Sequence, residues 1–386
     1  MGLTIAVDAS GLGRFKTGTA VYALEILRAW NIDKSVNARF HIFLSPKTKL
    51  YFDELGLDGR FCYHLAPNSR AVRSVWQQLI LPVAVARLGC DVLWGTSFVV
   101  PVLARCPRVV TIHDLTFRIL PAAHERLKRW YFRMAVAGSV KAAHSVLSVS
   151  ETTKRDLVHH YPGTARKTWV TRLGARSFGC EPANQIATAI QNSGHAYALA
   201  LGTLEPRKNI PRLLRVWRSL TPSIRRDTQL YVAGADGWLM GDMKDKATDA
   251  DTSVRFLGHL DEKRLRELLR GAQFLAYPSL YEGFGLPVIE AMNLGIPVLT
   301  SNCGATAEVA GDAACLVDPL CDESVRAGLE SLLTDAALRR TLAEKGRMRA
   351  QGFSWGQTAK LTYEKLSECA TEQKISRETT EGIRLQ

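Results

Sequence analysis

The sequence predicts an α/β protein with two domains, each built on a parallel β-sheet flanked by helices. Two observations carry this prediction. Short apolar segments alternate with helical stretches in both halves of the chain, and the alternation fades between about 173 and 194, where glycine, proline and polar residues dominate. Alternating strands and helices form parallel sheets, and such an interruption is typical of a domain linker. A ligand cleft is therefore expected between two domains.

The first half opens with an apolar strand, a glycine-rich turn and a helix. Strands are predicted at 4–8, 39–44, 91–94, 108–112 and 145–149, and helices at about 20–30, 75–88 and 124–141. Ser150 is a suitable N-cap for the next helix, because its hydroxyl can accept a hydrogen bond from a free backbone N–H.

The second half repeats the same alternation. Strands are predicted at 197–202, 229–233, 254–257, 274–277, 297–301 and 314–317, and helices at about 210–220, 261–271, 323–333, 336–351 and 356–369. The segment from 371 to 386 is polar and charged, and we expect it to be disordered.

The net charge of +13 indicates an anionic partner. Nucleic acid is disfavoured, since the chain has neither zinc-finger spacing nor an arginine-rich repeat. The N-terminus lacks the pattern of a signal peptide, and no uncharged run approaches the ~20 residues of a membrane span. We expect a cytoplasmic protein with phosphorylated ligands, in possible peripheral contact with the anionic inner-membrane surface.

The eight cysteines are scattered and include no C-x-x-C pair. This spacing favours reduced thiols over a disulfide framework or a zinc site. Several of them, Cys303 and Cys315 among them, stand in apolar sequence, and we expect most of the eight to be buried.

A strand-to-helix segment at 277–293 carries the main candidate chemistry. Glu282 lies in the loop after the strand, Pro287 suits the start of a helix, and Glu290 lies within that helix. Free N–H groups at the helix start favour an anion between the two carboxylates. This arrangement suits a sugar nucleotide, with one carboxylate for sugar hydroxyls and the other for ribose. A simple turn with two helix-favouring acids is the alternative.

Other loops that follow predicted strands carry polar groups. His113 and Asp114 follow the strand at 108–112, and the acid could orient the imidazole ring. Arg207 and Lys208 follow the strand at 197–202 and could neutralise a diphosphate. Ligands bind beyond the carboxyl ends of parallel strands, so these loops are in the expected place. A structural histidine and a solvated basic pair remain the alternatives.

The predicted helix at 124–141 is basic and aromatic. Arg126, Arg129, Trp130 and Arg133 share one face by their spacing. Such a face suggests contact with an anionic membrane surface. The alternative is a solvated face whose aromatic side chains enter the core on the other side.

Several motifs together resemble glycosyltransferase family 4, whose members are retaining enzymes of the GT-B fold. Glu282 to Glu290 match its E-x7-E motif within Tyr-Glu-Gly-Phe-Gly-Leu-Pro. The resemblance extends over about 3–368 through these further segments: Thr17-Gly18, Val110-Thr-Ile-His113-Asp114, Val149-Ser-Glu, Gly202-Thr-Leu-Glu-Pro-Arg-Lys-Asn and Phe353-Ser-Trp355. The chain looks most like bacterial mannosyl- and rhamnosyltransferases of O-antigen and exopolysaccharide assembly.

The resemblance implies a domain division. Residues 1–178 would form an N-terminal Rossmann-like domain on the acceptor side, and 179–352 a C-terminal Rossmann-like domain that binds the nucleotide sugar. The two would face each other across a cleft, and the helix at 353–370 would cross back to the first domain.

The resemblance also implies roles for single residues. Glu282 would contact hydroxyls of the donor sugar, Glu290 would hold the ribose, and Arg207 and Lys208 would hold the diphosphate. His113 would face the reacting sugar. The remaining positions would line the donor side (Gly283, Phe284, Gly285, Leu286, Thr203) and the acceptor side (Gly18, Asp114).

Two positions depart from the family pattern. Many members carry arginine where this chain has Thr203, so neutralisation of the phosphates would rely on Lys208, with Arg207 partly engaged. The usual Pro-Asn-Gly before the linker is Arg172-Leu173-Gly174 here.

The expected reaction is sugar transfer from a nucleotide-sugar donor to a saccharide or lipid-linked saccharide acceptor. The donor is expected to be of the GDP-mannose type, with dTDP-rhamnose as second choice. No carboxylate cluster for a divalent metal is visible, and we expect neither a metal nor another cofactor. A nucleotide-sugar epimerase, a phosphorylase and a non-catalytic sugar-binding protein are the alternatives.

Overall fold

A computed structural model describes residues 2–13, 17–123, 125–176, 195–225, 227–235 and 253–384, with side chains omitted at 123 and beyond 375. Contacts divide the chain into two compact units. The N-terminal unit comprises 1–119, 124–174 and 354–386, and the C-terminal unit comprises 120–123 and 175–353. The expected boundary at 178/179 lies outside the described residues. Gly174 belongs to the N-terminal unit and Ala175 to the C-terminal unit.

The N-terminal unit is built on a seven-stranded parallel sheet in the order β3-β2-β1-β4-β5-β6-β7. Its order reverses between β1 and β4, which is the point where open sheets bind ligands. The edge strands β3 and β7 were not predicted, because half-exposed edge strands lack a continuous apolar run. The strands are β1 Leu3–Asp8, β2 Ala38–Leu44, β3 Phe61–Leu65, β4 Val92–Gly95, β5 Arg108–Ile112, β6 Ser145–Ser148 and β7 Thr168–Val170.

Helices connect these strands and cover the sheet. The helix predicted at 75–88 is in fact two helices, and the second has Pro82 in its first turn. Ser150 caps its helix as predicted, since its hydroxyl accepts a hydrogen bond from the Thr153 N–H. The helices are Gly18–Ile32, Lys49–Asp53, Arg70–Leu79, Leu81–Arg87, Thr116–Ile119, Arg126–Ala142 and Glu151–His160, with 3-10 turns at Pro121–Ala123 and Pro162–Lys167.

The last helix, Trp355–Arg384, packs on the N-terminal unit. The Trp30 indole N–H donates to the Ala359 carbonyl (2.9 Å), and the Thr358 hydroxyl donates to the Arg172 carbonyl (2.5 Å). The expectation of a disordered segment from 371 onward was wrong, because the helix continues to Arg384. Tertiary contacts override the polar composition near the start of this segment, where Lys374 pairs with Asp91 (2.8 Å).

The C-terminal unit has a six-stranded parallel sheet in the order β10-β9-β8-β11-β12-β13, which reverses between β8 and β11. Its strands are β8 Tyr197–Leu201, β9 Gln229–Ala233, β10 Val254–Gly258, β11 Phe274–Tyr277, β12 Val298–Ser301 and β13 Cys315–Val317. The helices are Ile210–Ser219, Pro222–Arg225, Glu262–Gly271, Leu286–Asn293, Gly304–Ala310, Asp322–Thr334 and Ala336–Ala350, with a 3-10 turn at Pro206–Lys208.

Each unit buries the strands at the middle of its sheet, β4 in the first and β8 and β11 in the second. Trp30 stacks on Phe40 in the first unit, with ring centroids 5.1 Å apart, and Trp217 lies buried against the second sheet. The described cysteines are free, and three of them (Cys90, Cys106 and Cys369) are buried. The expectation for Cys303 was wrong: this thiol is exposed, because it lies in the exposed turn 302–304 before the helix Gly304–Ala310.

Candidate active site

The loops after β8 and β11 bring a carboxylate and two cations together in the C-terminal unit. Glu282 Oε1 accepts hydrogen bonds from Lys208 Nζ (2.6 Å) and from the Tyr277 hydroxyl (2.9 Å). Its Oε2 accepts from an Arg207 guanidinium nitrogen (2.5 Å). Both loops leave the sheet at the reversal of strand order, so the cluster occupies the place where parallel sheets bind ligands.

Local backbone geometry explains how the two cations reach Glu282. The 3-10 turn Pro206–Lys208 follows β8, and Lys208 lies across Gly202. Gly202 has a φ of +128°, and a Cβ there would lie 2.9 Å from Lys208 Cε. Glycine is therefore required both by the backbone conformation and by the close approach of the lysine.

The cluster is ionic and buried. Burial alone would raise the pKa of Glu282, but the charges of Arg207 and Lys208, with the hydrogen bonds from Lys208 and Tyr277, lower it to about 2. Burial and the neighbouring charge of Arg207 lower the pKa of Lys208 to about 8. Burial and the charge of Glu282 raise the pKa of Tyr277. At neutral pH the cluster thus holds a carboxylate, two cations and a neutral phenol.

The helix Leu286–Asn293 begins directly after this cluster. Gly285 is its N-cap with a φ of +109°, a conformation that favours glycine, and Pro287 lies in the first turn. Within the described part of the chain, the backbone N–H groups of Phe284, Gly285 and Leu286 have no hydrogen-bond acceptor. Such free N–H groups at a helix start bind anions.

Glu290 lies buried in the same helix and has a partner that the sequence did not reveal. Arg176 Nε donates to Glu290 Oε1 (2.5 Å), and another guanidinium nitrogen of Arg176 donates to Glu262 Oε1 (2.8 Å). The Asn293 side chain donates to the Arg176 carbonyl (3.2 Å). Arg176 is thus held at three points beside Glu290.

His113 follows β5 in the N-terminal unit and is buried. Its Nε2 lies 2.9 Å from the Thr96 carbonyl, so Nε2 carries the proton and donates to this oxygen. Burial lowers the pKa of His113, which favours the neutral ring. Among the described residues, Nδ1 has no hydrogen-bond partner. Nδ1 is therefore a lone-pair acceptor available to a hydroxyl.

Asp114 does not orient the His113 ring, contrary to the sequence expectation. Asp114 Oδ1 accepts from the Thr116 N–H (2.9 Å) and the Thr116 hydroxyl (2.7 Å), and so closes the turn before a short helix. The Thr96 carbonyl and the edge of the Tyr22 ring, 4.9 Å between centroids, hold the imidazole instead.

Two other predicted positions lie near strand ends. Gly18 begins the helix Gly18–Ile32 after β1, and residues 14–16 of the preceding turn lie outside the described residues. Thr203 follows β8 and Gly202, half-buried, and its carbonyl accepts from the Glu205 N–H (2.7 Å). Where side chains are described, no group of three or more His, Cys, Asp or Glu residues could hold a metal ion.

Comparison with known proteins agrees with this geometry. A family model described as Glycosyltransferase Family 4 matches residues 17–175, and one described as Glycosyl transferases group 1 matches 184–349. O-antigen chain mannosyltransferase B of Escherichia coli is 31% identical over 269 residues, which cover 68% of this chain and 70% of that protein. The chain belongs to glycosyltransferase family 4.

Another relative aligns with most of the length of this glycosyltransferase. O-antigen chain mannosyltransferase RfbU of Salmonella typhimurium is 27% identical over 351 residues, or 86% of this chain and 92% of that protein. These relatives are transferases, and the epimerase and sugar-binding alternatives are not favoured.

Solved structures show the fold. Anabaena HepE in complex with UDP and glucose superposes with a TM-score of 0.74 at 19% identity, covering 95% of this chain and 100% of that chain. WaaG, a glycosyltransferase involved in lipopolysaccharide biosynthesis, superposes with a TM-score of 0.71 at 18% identity, covering 94% and 99%. The GT-B fold prediction is confirmed.

Sequence reasoning missed three residues of the glycosyltransferase that contact the predicted ones. Tyr277 and Arg176 bond to Glu282 and Glu290, and Thr96 holds His113. Tyr277 could have been suspected, because it ends the strand five residues before Glu282. Arg176 lies 114 positions from Glu290 and gave no local signal.

Proposed function

We propose that this family 4 glycosyltransferase transfers mannose, with retention of configuration, from a GDP-linked donor to a saccharide or lipid-linked saccharide in bacterial surface polysaccharide synthesis. The buried Glu282 cluster carries the proposal. In this cluster the loops after β8 and β11 bring together a fixed carboxylate, two cations and free helix N–H groups. These are the groups that binding of a sugar diphosphate requires. The mannosyltransferase relatives favour mannose over rhamnose.

In the proposed reaction, the bond between the anomeric carbon and the diphosphate oxygen breaks as the acceptor oxygen bonds to the same face of that carbon. The acceptor proton passes to the leaving phosphate. Negative charge grows on the diphosphate, and Lys208, Arg207 and the N–H groups at Gly285 stabilise it. His113 Nδ1 accepts a hydrogen bond from a hydroxyl of the reacting sugar.

The state of Glu282 argues against a role as nucleophile. Its pKa is about 2 and both of its oxygens already accept hydrogen bonds from cations or a phenol. A carboxylate so stabilised is a poor nucleophile. We assign it to binding hydroxyls of the donor sugar and to holding the two cations in place.

A thermal-shift panel of GDP-, UDP-, dTDP- and ADP-linked sugars tests the donor. A ligand that binds only the folded state at a hundredfold excess over its Kd adds about 2.7 kcal/mol of stability. A shift with GDP-mannose that is lost in Glu290→Ala, together with mannose transfer to an acceptor, supports the proposal. A shift with dTDP-rhamnose alone would mean that the donor sugar is rhamnose rather than mannose. Hydrolysis or epimerisation of the donor in the absence of an acceptor would contradict the proposal that the enzyme transfers a sugar.

We further propose that transfer needs no metal ion or other cofactor. In the proposed reaction Lys208 and Arg207 neutralise the diphosphate, and a divalent metal is the group that otherwise supplies such charge. Full activity in a chelator is expected, and loss that is restored by a divalent cation would overturn this assignment.

A lipid-linked acceptor would be reached at the cytoplasmic face of the inner membrane. We propose that the enzyme works there as a peripheral protein. No helix among those described is both long enough and apolar enough to span a bilayer.

A further inference from the structure

The loop between β4 and β5 contains a strained turn at Phe98. Its φ is +62°, in the left-handed region that is uncommon for a bulky side chain. Asn209 and Asp227, the other described non-glycine residues with a positive φ, are of types that tolerate this conformation. The Val99 N–H donates to the Ser97 carbonyl (2.7 Å), so Phe98 is the central residue of a γ-turn. A γ-turn with positive φ is rare, and glycine would adopt it without strain.

Hydrogen bonds to two neighbouring strands hold this turn in place. The Phe98 N–H donates to the Thr111 carbonyl on β5 (2.8 Å). The Thr96 N–H and hydroxyl both donate to the Asp8 carbonyl at the end of β1 (3.2 and 2.9 Å). The surrounding structure therefore imposes the conformation of Phe98. Strained residues that their surroundings hold in this way cluster at active sites.

The turn places the phenyl ring against the imidazole of His113. The centroids of the two rings lie 5.6 Å apart, with the ring planes inclined by 56°. Phe98 is half-buried and also packs against Phe132, with centroids 5.8 Å apart. The same loop supplies the Thr96 carbonyl that accepts from His113 Nε2 (2.9 Å). One short loop thus provides both a hydrogen bond and a ring contact to His113.

The aromatic contacts add what the hydrogen bond to His113 does not supply. A single bond at Nε2 leaves the tilt of the imidazole weakly defined. Tyr22, with its centroid 4.9 Å away and its plane at 88°, and Phe98 together restrict this tilt. Both rings also keep water from the imidazole, and burial lowers the pKa of His113. Its ionisable neighbours are the Tyr22 phenol and Asp114, and the Asp114 charge acts against this effect of burial on the pKa.

We propose that Phe98 is a positioning residue, whose strained γ-turn holds the phenyl ring against His113 so that Nδ1 is directed at the reacting sugar. Glycine would adopt the same backbone conformation without strain, but it would leave one side of the imidazole open. The strain is then the means by which the loop pre-organises the imidazole. The inference rests on the role proposed for His113 in sugar transfer and adds the residue that orients it.

Histidine-selective nitrogen NMR of the full chain without substrate tests the orientation. The signals of His113, one of nine histidines, are identified by their absence in His113→Asn. In the native protein we expect the neutral Nε2–H form to persist from pH ~5.5 to pH ~8. In Phe98→Ala the imidazole is open to water, so we expect a mixture of the two neutral forms and a pKa nearer the ordinary value. Unchanged His113 signals in Phe98→Ala would overturn the proposal.

Steady-state kinetics gives a second readout. Phe98→Ala should lower kcat about threefold or more while the donor KM stays within a factor of about two. Combined with His113→Ala, the same change should add less than about a twofold loss, because no imidazole is left to orient. Fully additive losses would contradict the proposal. If the NMR signals change but kcat does not, Phe98 orients His113 and only the role of His113 in transfer fails.

Thermal unfolding separates positioning from simple packing. Val140→Ala, a truncation in the same core cluster, should lower Tm and leave the His113 signals as in the native protein. Phe98→Gly should unfold at a higher temperature than Phe98→Ala, because glycine relieves the strained φ. The reverse order would show that the turn is not strained and would defeat the proposal. Should Phe98→Ala fail to fold, Phe98→Gly replaces it in the titration, and unchanged His113 signals there would count equally against it.

Discussion

Arg176 and the buried Glu290 form an ion pair in the C-terminal unit, with Nε and Oε1 2.5 Å apart. Arg176 also binds Glu262, so its guanidinium is fixed between two carboxylates. Only one oxygen of Glu290 is occupied by this pair. The other has no partner among the described residues, and we propose that it accepts a hydrogen bond from a ribose hydroxyl of the donor, with Arg176 orienting Glu290 for this contact.

Removal of Arg176 should weaken donor binding. In Arg176→Ala, the buried Glu290 carboxylate loses its charged partner, and such truncations of a buried ion pair are strongly destabilising. We expect KM for the donor to rise about tenfold or more with little change in kcat. Arg176→Lys should recover part of the affinity, because a single charged donor remains. Steady-state kinetics and calorimetry with the nucleoside diphosphate measure both effects.

Two comparisons make the Arg176 test specific. Glu262→Gln leaves the Arg176–Glu290 pair intact and should keep the donor KM within a factor of about three. The native enzyme should prefer a ribonucleoside diphosphate to its 2′,3′-dideoxy analogue, and Arg176→Ala should lose that preference. Tighter donor binding in Arg176→Ala would contradict the assignment, since it would mean that Arg176 competes with ribose for Glu290.

Replacement of Glu282 by glutamine should nearly abolish turnover. The neutral amide no longer balances Lys208 and Arg207, and one of its two positions donates rather than accepts. A loss of about 10²–10³ in kcat is expected, as for other fixed electrostatic groups. Asp322→Asn is the matched control, because Asp322 pairs with Arg215 (2.8 Å) in a partly exposed ion pair at the start of the helix Asp322–Thr334 of the same unit. Equal losses in the two variants would defeat the assignment of Glu282.

The rate should depend on the protonation of Lys208. Burial and the charge of Arg207 lower its pKa to about 8, and the proposed reaction needs its protonated form to bind the diphosphate. Below this pKa the cation is present, and above it the cation is lost. We therefore expect kcat/KM for the donor to fall by about tenfold per pH unit above pH ~8.

Lys208→Arg provides the control for this pH profile. Arginine stays protonated throughout the range, so the fall should disappear even if the overall rate is lower. A native profile that stays flat from pH 7 to pH 10 would contradict the role given to Lys208.

Loss of the His113 ring should lower turnover modestly. Its neutral Nδ1 accepts a single hydrogen bond in the proposed reaction, so His113→Ala should reduce kcat/KM by about three- to tenfold. His113→Asn retains a side-chain acceptor and should lose less. Because burial lowers the pKa of His113, the native profile should show no inflection at the ordinary imidazole pKa. An inflection there that vanishes in His113→Asn would show that the ring acts in its charged form.

Much of the fold could be predicted because local patterns of apolar residues indicate where the strands and helices lie. The central strands are continuous apolar runs, and β5, β9 and β11 begin and end where periodicity placed them. The edge strand β3 escaped prediction, since its residues are only half-buried and its pairing with β2 is set by distant contacts.

The candidate site shows the same division. The loops that carry Glu282 and Lys208 were placed correctly at strand ends, because parallel strands direct their carboxyl ends to one edge. The partner predicted for His113 was wrong. Asp114 is the adjacent polar residue in the sequence, but the Thr96 carbonyl holds the ring. Adjacency in the sequence therefore did not identify the residue that contacts the ring in the folded chain.

The sequence by itself determined the two α/β halves, the family and the segment that carries Glu282 and Glu290, because periodicity and motif spacing are local properties. Only the tertiary structure decided that Arg176 pairs with Glu290 and that Val75 and Trp130 face solvent. The physical reason is that an apolar stripe or a charged side chain specifies what it can contact, whereas the packing of distant segments determines what it does contact.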